Sequence, residues 1–332
     1  MRKVLIYILV FVLLCFLIPI IFTKRPEKAV VAINEASKES DNNQNENKTD
    51  TKTPTIVKLL HAETGEVEEL EMDKYLYGVV SAEMPANFEK EALKAQAIVA
   101  RTYTEYKIYK GSKHENADIC DDSKCCQAWI SKEKRFEKWN EGDRENNWNK
   151  ITSAVDETSG KIITYDGAPI NAFFHSNSGG TTETVANVWG GSNYPYLQSV
   201  ETSGEDSYTQ YASTVTLTKE EVLQKMQAEY PETTIDWTQE KPIQIIEYNE
   251  SGRVKTIQIG NKSISGVEAR TIFGLKSAKF NVQVGESVQF DVVGYGHGVG
   301  LSQTGADAMA KTGATAEQII NHYYTGVKIE NI

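Results

Sequence analysis

Residues 73–106 carry a helical pattern that constrains the fold of this chain more than any other stretch. Apolar residues recur at helical spacing on both sides of Pro85, so the stretch is expected to form two helices that break there. Asp73 is the expected N-cap of the first helix, and Asn87 is that of the second. Two consecutive helices with apolar faces predict a helical layer that must pack against something else.

Glu83 occupies an unusual place in the first of these helices. It lies in the last turn, on the same face as Leu76 and Val80. An apolar face and the negative end of the helix dipole both disfavour an ionised carboxylate. A carboxyl group that stays partly protonated near neutral pH can act as a general acid. An ion pair between Glu83 and Arg101 of the second helix is the alternative, and position does not choose between them.

The N-terminal part of the chain differs in composition from the rest. Residues 4–22 are nineteen uncharged residues, about the length needed to cross a bilayer core of roughly 30 Å. No small-residue cleavage site follows them. Residues 1–24 are therefore expected to be an uncleaved single-pass transmembrane anchor, with the bulk of the chain on the extracytoplasmic side. Residues 25–54 are polar and are expected to form a flexible tether, because they cannot bury enough apolar surface to offset the ordering entropy.

Residues 55–332 are expected to form one folded domain of the α+β class. Turn pairs at Thr64-Gly65 and Asp166-Gly167 lie between apolar runs and predict β-hairpins. Residues 213–284 alternate between strand and helix patterns without chemical motifs, which indicates a possible β-rich subdomain. The formal net charge of -11 and the lack of a basic stripe argue against nucleic acid as a partner.

Three cysteines and one histidine gather within a short segment, at His114, Cys120, Cys125 and Cys126. Four nitrogen and sulfur ligands so close together predict a closed tetrahedral zinc site, which would be structural because no coordination position stays open. A disulfide from Cys120 to Cys125 or Cys126 is the alternative. It would leave one thiol over, since three cysteines cannot all pair within one chain.

Two glycine-rich loops are further candidates for a site. Residues 175–184 (HSNSGGTTET) follow a predicted strand, and residues 294–300 (GYGHGVG) lead to Ser302-Gln303. Small polar residues and glycines on loops often form binding rims, although a turn-rich connection has the same composition. The glycine spacing does not match the dinucleotide motif. Trp189 precedes two more glycines, and its indole face suits a sugar ring.

Three motifs together make the chain recognisable. GVVSAEMP with EALKAQAIVARTY, FFHSNSGGTTETVANVWGG and GYGHGVGLSQTGA resemble the sporulation protein D family, which carries the SpoIID/LytB domain. The resemblance covers about residues 55–332. It implies a lytic transglycosylase that cuts peptidoglycan glycan strands between N-acetylmuramic acid and N-acetylglucosamine and leaves a 1,6-anhydro end. It also implies a preference for strands stripped of stem peptides, during septal thinning and engulfment in sporulation.

The resemblance also implies residues and partners. The catalytic acid/base of the family falls on Glu83. Apart from the resemblance, the polar and aromatic residues of the motifs are expected to bind substrate, namely Arg101, His175, Ser176, Asn177, Ser178, Trp189, His297 and Gln303, although a buried histidine with a structural role is the alternative for His175 and His297. The His/Cys cluster resembles the zinc loop of some members, and no catalytic cofactor is expected. The implied partners are glycan strands and stage II sporulation proteins P and M, at the membrane of the septum between mother cell and forespore.

The expected architecture has a helical part carrying Glu83, packed on a β-rich part carrying both glycine-rich loops, after the transmembrane helix and the tether. Two other functions stay open. One is a metal-dependent amidase or peptidase with Glu83, His175 and His297 at the metal, although neither histidine has the H-E-x-x-H spacing. The other is a wall-glycan-binding scaffold that recruits other hydrolases. Glu183 is the only other carboxylate within the site motifs.

Overall fold

The computed structural model describes residues 55–332, and this part of the chain mixes helices and sheets. The strands are β1 (Ile56–Leu60), β2 (Val67–Glu71), β3 (Ile119–Cys120), β4 (Lys161–Tyr165), β5 (Ala168–Pro169), β6 (Phe174–His175), β7 (Ala212–Thr218), β8 (Ile243–Tyr248), β9 (Val254–Ile259), β10 (Lys262–Ser265), β11 (Phe280–Val284), β12 (Ser287–Val293), β13 (Leu301–Ser302) and β14 (Lys328–Asn331). The helices are α1 (Met72–Glu83), α2 (Lys90–Lys110), α3 (Lys132–Lys138), α4 (Arg144–Asp156), α5 (Val185–Trp189), α6 (Lys219–Glu229), α7 (Gly266–Phe273), α8 (Gln303–Lys311) and α9 (Ala316–Tyr323). Short 3-10 turns lie at Glu141–Asp143 and Glu205–Ser207.

The fold prediction needs one correction, which concerns the transmembrane helix. Within residues 55–332, no helix combines the length and the apolar character that a membrane crossing requires. The apolar run at residues 4–22 and the predicted tether at residues 25–54 lie outside the described residues. The described part of the chain is therefore of the α+β class, and the transmembrane helix that the fold prediction included is not found within residues 55–332. The domain boundaries stay predictions.

Helix α2 is the centre of the helical part. It contacts α1, α4, α8, α9 and β4, and its residues from Ala92 to Thr104 are almost all buried. Small alanine side chains in this run let the neighbouring elements approach closely. Helix α1 packs its buried face, which includes Leu76 and Val80, into the same core. The predicted pair of helices is present.

The predicted caps of α1 and α2 are wrong. Helix α1 begins after Glu71 and α2 begins after Glu89, in neither case with a side-chain cap. Asp73 instead lies in the first turn of α1, where its carboxylate pairs with Arg101. Helix α1 ends before Met84, which is extended at φ -122° and ψ 142°, because the residue before a proline is disfavoured in the helical region.

A second hydrophobic core lies within residues 222–292. The sheets β10-β9-β8 and β11-β12-β7 enclose it together with α6 and α7. Capping boxes start both helices, at Thr218 with Glu221 and at Ser265 with Glu268. This core includes most of the predicted subdomain at residues 213–284.

A short parallel ladder brings the two glycine-rich loops together. Strand β6 pairs with β13, with His175 opposite Ser302. A single antiparallel bridge also joins Asn177 of the first loop to Tyr295 of the second. Strand β13 then leads directly into α8, whose first residue is Gln303. The loops are therefore held side by side at the start of a helix that packs on α2.

Candidate active site

Glu83 is half-buried at the C-terminal end of α1 and accepts a hydrogen bond at each carboxyl oxygen. The main-chain N–H of Ala128 donates to Oε1 over 2.7 Å, and Gln303 Nε2 donates to Oε2 over 3.3 Å. Burial raises the pKa of this carboxyl group, while the two hydrogen bonds act in the opposite direction. Since burial prevails, the proton is held more firmly than on a free glutamate, as a general acid requires.

A cavity of about 590 Å³ opens beside Glu83. This volume is in the range of small-molecule sites in proteins. Its walls come from the end of α1 and the connection to α2, from residues of α3, α4 and the turn between them, and from Gln210, which precedes β7. The lining residues are Ala82, Glu83, Met84, Pro85, Ala86, Asn87, Arg135, Trp139, Asp143, Asn147 and Gln210. The wall is mostly polar or small and suits a ligand rich in hydroxyl groups.

Several residues of this site were not predicted from the sequence. Arg135 and Trp139 lie one helical turn apart, with the guanidinium 4.9 Å from the ring centroid, in cation–π contact. The i, i+4 spacing is a usable signal for this pair. Ala128 contributes only its backbone, for which side-chain patterns give no signal.

The segment that supplies Ala128 is packed closely onto α1. A side chain at Gly78 would place a Cβ 2.2 Å from Nε1 of Trp129, so only glycine leaves room for the indole. Gln127 is buried and donates to Tyr75 Oη over 2.8 Å and to Thr104 Oγ1 over 3.1 Å. The neighbours of Ala128 on either side, Gln127 and Trp129, are thus held against α1 and α2, and they fix the main-chain N–H of Ala128 that donates to Glu83.

Arg101 is engaged away from the Glu83 carboxyl group. Its guanidinium is 1% exposed and pairs with Asp73 over 2.8 Å, while also donating to the carbonyl of Thr158 over 2.7 Å. The alternative of a Glu83–Arg101 ion pair is therefore wrong. The role of Arg101 in substrate binding stays a prediction.

The two predicted histidines lie side by side, with ring centroids 5.6 Å apart. His175 donates from Nδ1 to the carbonyl of Val299, and burial lowers its pKa to about 3. Burial also lowers the pKa of His297, which accepts from the N–H of Val299. Both imidazoles are neutral near pH 7.

Trp189 extends the histidine pair to the surface. Its ring lies 5.0 Å from that of His297 and 4.8 Å from that of Phe173, and the residue is 51% exposed. The predicted stacking of a sugar on this indole stays a prediction. None of these aromatic rings lines the cavity beside Glu83.

The predicted residues of the first loop divide by exposure. Ser176 is half-buried, and its carbonyl accepts from Thr304 N, next to Gln303. Asn177 and Ser178 are buried. Gln303 is thus the one predicted substrate-binding residue that contacts the Glu83 carboxyl in the described part of the chain.

A buried carboxylate, Glu205, joins the two loops. It accepts from Ser178 Oγ and N, from Ser302 Oγ, and from Thr304 Oγ1 over 3.0 Å. This network positions the residues on either side of Gln303. Sequence reasoning missed Glu205, because it lies in a polar connection with no distinguishing pattern.

The carboxylate of Glu183 accepts hydrogen bonds at both oxygens from other residues of the protein. It accepts from Thr184 N and from Asn187, Asn249 and Ser251. It does not line the cavity beside Glu83, whose second carboxylate is Asp143.

The predicted metal ligands converge. The donor atoms of His114, Cys120, Cys125 and Cys126 all lie within 4.8 Å of one another, and the thiols are free. Nε2 of His114 is 3.4 Å from Sγ of Cys126, and the two Sγ atoms of Cys125 and Cys126 are 3.7 Å apart. Tetrahedral zinc with ordinary bond lengths needs about 3.6 Å between nitrogen and sulfur and about 3.8 Å between sulfurs. The geometry therefore fits a structural zinc ion, and the disulfide alternative is not formed.

The histidines of the loops do not form a second metal cluster with Glu83. Among residues 55–332, the group at His114 is the one set of three or more histidine, cysteine or acidic ligands close enough to hold an ion. This distribution weakens the reading of a catalytic metal held by Glu83, His175 and His297.

Comparisons with known proteins agree with the motifs. Residues 61–165 match the family model described as "Stage II sporulation protein", SpoIID. The chain is 35% identical to stage II sporulation protein D of Bacillus subtilis over 91% of this chain and 85% of that protein. It is 35% identical to the protein of the same name from Bacillus amyloliquefaciens, over 84% and 79%. It is also 28% identical to the amidase enhancer of Bacillus subtilis, over 76% of this chain and 40% of that protein.

Proposed function

The chain belongs to the SpoIID family of stage II sporulation proteins, and we propose that it is a lytic transglycosylase acting on peptidoglycan glycan strands. The observation that carries the proposal is the state of Glu83. Its carboxyl group has a raised pKa and lies on the wall of a polar cavity of about 590 Å³. A single carboxyl group with a raised pKa beside such a cavity is the minimum that this reaction needs.

In the proposed reaction, Glu83 first donates its proton to the oxygen that bridges C1 of N-acetylmuramic acid and C4 of N-acetylglucosamine. The bond from C1 to that oxygen breaks, and the positive charge that develops on the muramic acid ring faces the glutamate carboxylate. The carboxylate then accepts the proton of the O6 hydroxyl of the same muramic acid while O6 bonds to C1. Glu83 ends protonated, as it began, and the products are a 1,6-anhydro end and a free 4-hydroxyl.

The two hydrogen bonds to Glu83 suit this double role. A carboxyl that acts as acid and then as base needs a pKa near the working pH. Burial raises the pKa, and the N–H of Ala128 and the amide of Gln303 limit that rise. These donors also fix the direction of both carboxyl oxygens, so that the group is oriented before substrate arrives.

A glycan hydrolase is the second candidate, because Asp143 lines the same cavity as Glu83. Two carboxyl groups across one cavity are the usual equipment of a hydrolase, in which one of them activates a water molecule or attacks the sugar. The lytic reaction consumes no water and does not use Asp143 in this way. The products separate the two candidates.

The names of the relatives support a role in sporulation. We further propose, as the resemblance of the motifs implies, that the protein acts at the septal wall on strands stripped of stem peptides, with stage II sporulation proteins P and M as companions. The His/Cys cluster would hold zinc as a structural ion, through three thiolates and one imidazole. It takes no part in the proton transfers. A metal-dependent amidase would need a metal site at Glu83, and the described residues form no cluster of ligands there. A scaffold without activity could bind glycan in the same cavity, so a test must distinguish binding from cleavage.

The test is incubation of the purified protein with denuded glycan strands, followed by mass spectrometry of the products. We expect 1,6-anhydro ends. Reducing ends would favour the hydrolase, and intact strands that stay bound would favour the scaffold. Release of stem peptides from intact peptidoglycan would favour the amidase.

A pair of variants identifies the catalytic group. Glu83→Gln keeps the size of the side chain and removes its acidic proton, so turnover should fall by about 10³-fold or more while the thermal midpoint is kept. Glu63→Gln, at an exposed turn position, makes the same change elsewhere and should leave turnover intact. Equal turnover by both variants would refute the assignment of Glu83.

A further inference from the structure

Arg135 lies on the wall of the cavity that contains Glu83, and within residues 55–332 it forms no salt bridge with a carboxylate. The side chain is half-buried, and its Nε, which no solvent reaches, has no hydrogen-bond partner among these residues. Burial alone lowers the pKa of its guanidinium, with no contribution from a nearby carboxylate. Asp143 lines the same cavity but contacts Asn140 instead.

The position of Arg135 is fixed by its own helix. Ser131 caps α3 by accepting from the N–H of Lys134, and the guanidinium lies against the Trp139 ring at 4.9 Å. Stacking on an indole orders the flat guanidinium and leaves its edge N–H groups free to donate. An ordered arginine with unused donors is what carboxylate recognition needs.

The substrate of the proposed reaction offers one carboxylate. N-acetylmuramic acid carries a lactyl ether at C3, which ends in a free carboxylate when the stem peptide has been removed. When the peptide is present, the same group is an amide and carries no charge. A half-buried guanidinium whose buried Nε lacks a partner is costly, and an incoming carboxylate offsets that cost where a neutral amide does not.

We propose that Arg135 binds the lactyl carboxylate of peptide-free N-acetylmuramic acid and so makes the enzyme select denuded strands. This inference rests on the proposed function, because it takes the glycan strand as the ligand of the cavity. Arg135 is then a specificity-determining residue that takes no part in the proton transfers of Glu83. Arg135 would bind the lactyl side group of a muramic acid residue in the cavity, and Glu83, which lines the same cavity, would protonate the glycosidic oxygen of the same sugar.

The test measures binding, so that it does not depend on cleavage. In the Glu83→Gln background, the full-length protein is titrated with denuded strands and with the same strands whose lactyl carboxylates have been converted to methylamides. We expect the free carboxylate strands to bind about 10- to 100-fold more tightly. Adding Arg135→Gln should remove this preference by weakening binding of the carboxylate strands alone.

Two further variants make the result specific. Lys134→Gln removes one positive charge from the exposed neighbouring position and should keep the preference, which excludes a general electrostatic effect. Arg135→Lys should restore part of it, since lysine keeps the charge but not the fork of donors. An equal loss of binding to both strand types in Arg135→Gln would show that Arg135 only supports the packing of Trp139, and would overturn the proposal.

Turnover by the protein with Glu83 intact separates this inference from the proposed function. Strands that are bound with the carboxylate preference but never cut would leave Arg135 recognition standing and refute the transglycosylase. If carboxylate strands and methylamide strands are cut equally well, the transglycosylase proposal stands and recognition of the carboxylate by Arg135 is refuted. With both proposals correct, Arg135→Gln should raise KM for denuded strands about 10-fold or more and change kcat little.

Discussion

The main-chain N–H of Ala128 donates to the carboxyl of Glu83 over 2.7 Å, and Ala128 lies two residues after Cys126 of the His/Cys cluster. The segment that folds around the four ligand atoms therefore continues directly into the segment that orients the general acid. Gln127, between them, is anchored to Tyr75 in α1. A bound ion would order one end of this segment while α1 holds the other.

If the cluster holds the proposed zinc ion, its removal should destabilise the domain. We expect a strong chelator to lower the thermal midpoint by roughly 5 °C, because metal binding free energy is released as folding free energy. Cys126→Ser should give the same loss without chelator. Ser123→Ala, at an exposed position of the same loop, is the matched control and should melt like the wild type. Unchanged melting of Cys126→Ser and of the chelated protein would contradict a structural metal.

The raised pKa of Glu83 predicts a dependence of stability on pH. The folded protein binds this proton more tightly than the unfolded chain, whose glutamate titrates near 4.5. The resulting stabilisation is complete below that pH and is lost as pH rises through the folded-state pKa. Urea unfolding should show wild type losing stability relative to Glu83→Gln over that interval. A constant difference between the two proteins from pH 4 to pH 8 would argue against a raised pKa.

Gln303 should set the upper pH limit of activity. Its amide hydrogen bond lowers the pKa of Glu83, so Gln303→Met should raise that pKa and keep the acid protonated to higher pH. In the profile of kcat/KM against pH, the basic limb should move upward, with a loss at the optimum of about 10-fold. Gln198→Met, at an exposed site, should leave the profile in place. A basic limb that stays where it is in Gln303→Met would remove Gln303 from this role.

Arg101 should matter for stability far more than an exposed ion pair does. Arg101→Met removes a guanidinium that is 1% exposed and takes one donor away from Asp73 and from each of three carbonyl groups. We expect the free energy of unfolding to fall by about 3 kcal/mol. Lys90→Met breaks the pair with Glu157 at the surface and should cost less than about 1 kcal/mol. Similar effects in the two variants, measured by urea unfolding, would show that burial of the Arg101 pair contributes little.

Local features of the fold could be predicted from the sequence. The capping box at Ser265 and Glu268 and the hairpin at Asp166-Gly167 depend on residues that are neighbours along the chain, so their patterns identify them. Asp73 shows where this reasoning fails. Its position suits a cap, but a buried arginine from α2 takes its carboxylate, and tertiary contacts of this kind leave no local pattern.

The candidate site divides in the same way. Glu83 could be found because the face of its own helix makes a carboxylate unusual. Arg135 and Trp139 were missed because nothing near them in sequence shows that α3 lies across from α1. The role of Gly78 could not be read either, since the residue it accommodates, Trp129, is brought to it only by the fold.

The hydrogen bond between Glu83 and Gln303 joins residues that are 220 positions apart. A ribosome that has made the glutamate, its helix and most of the cavity wall has therefore not yet made the amide that restrains the proton. The surroundings of the acid are thus complete only after Gln303 has been made, and a fragment that ends before Gln303 carries the glutamate without the amide that the proposed reaction requires.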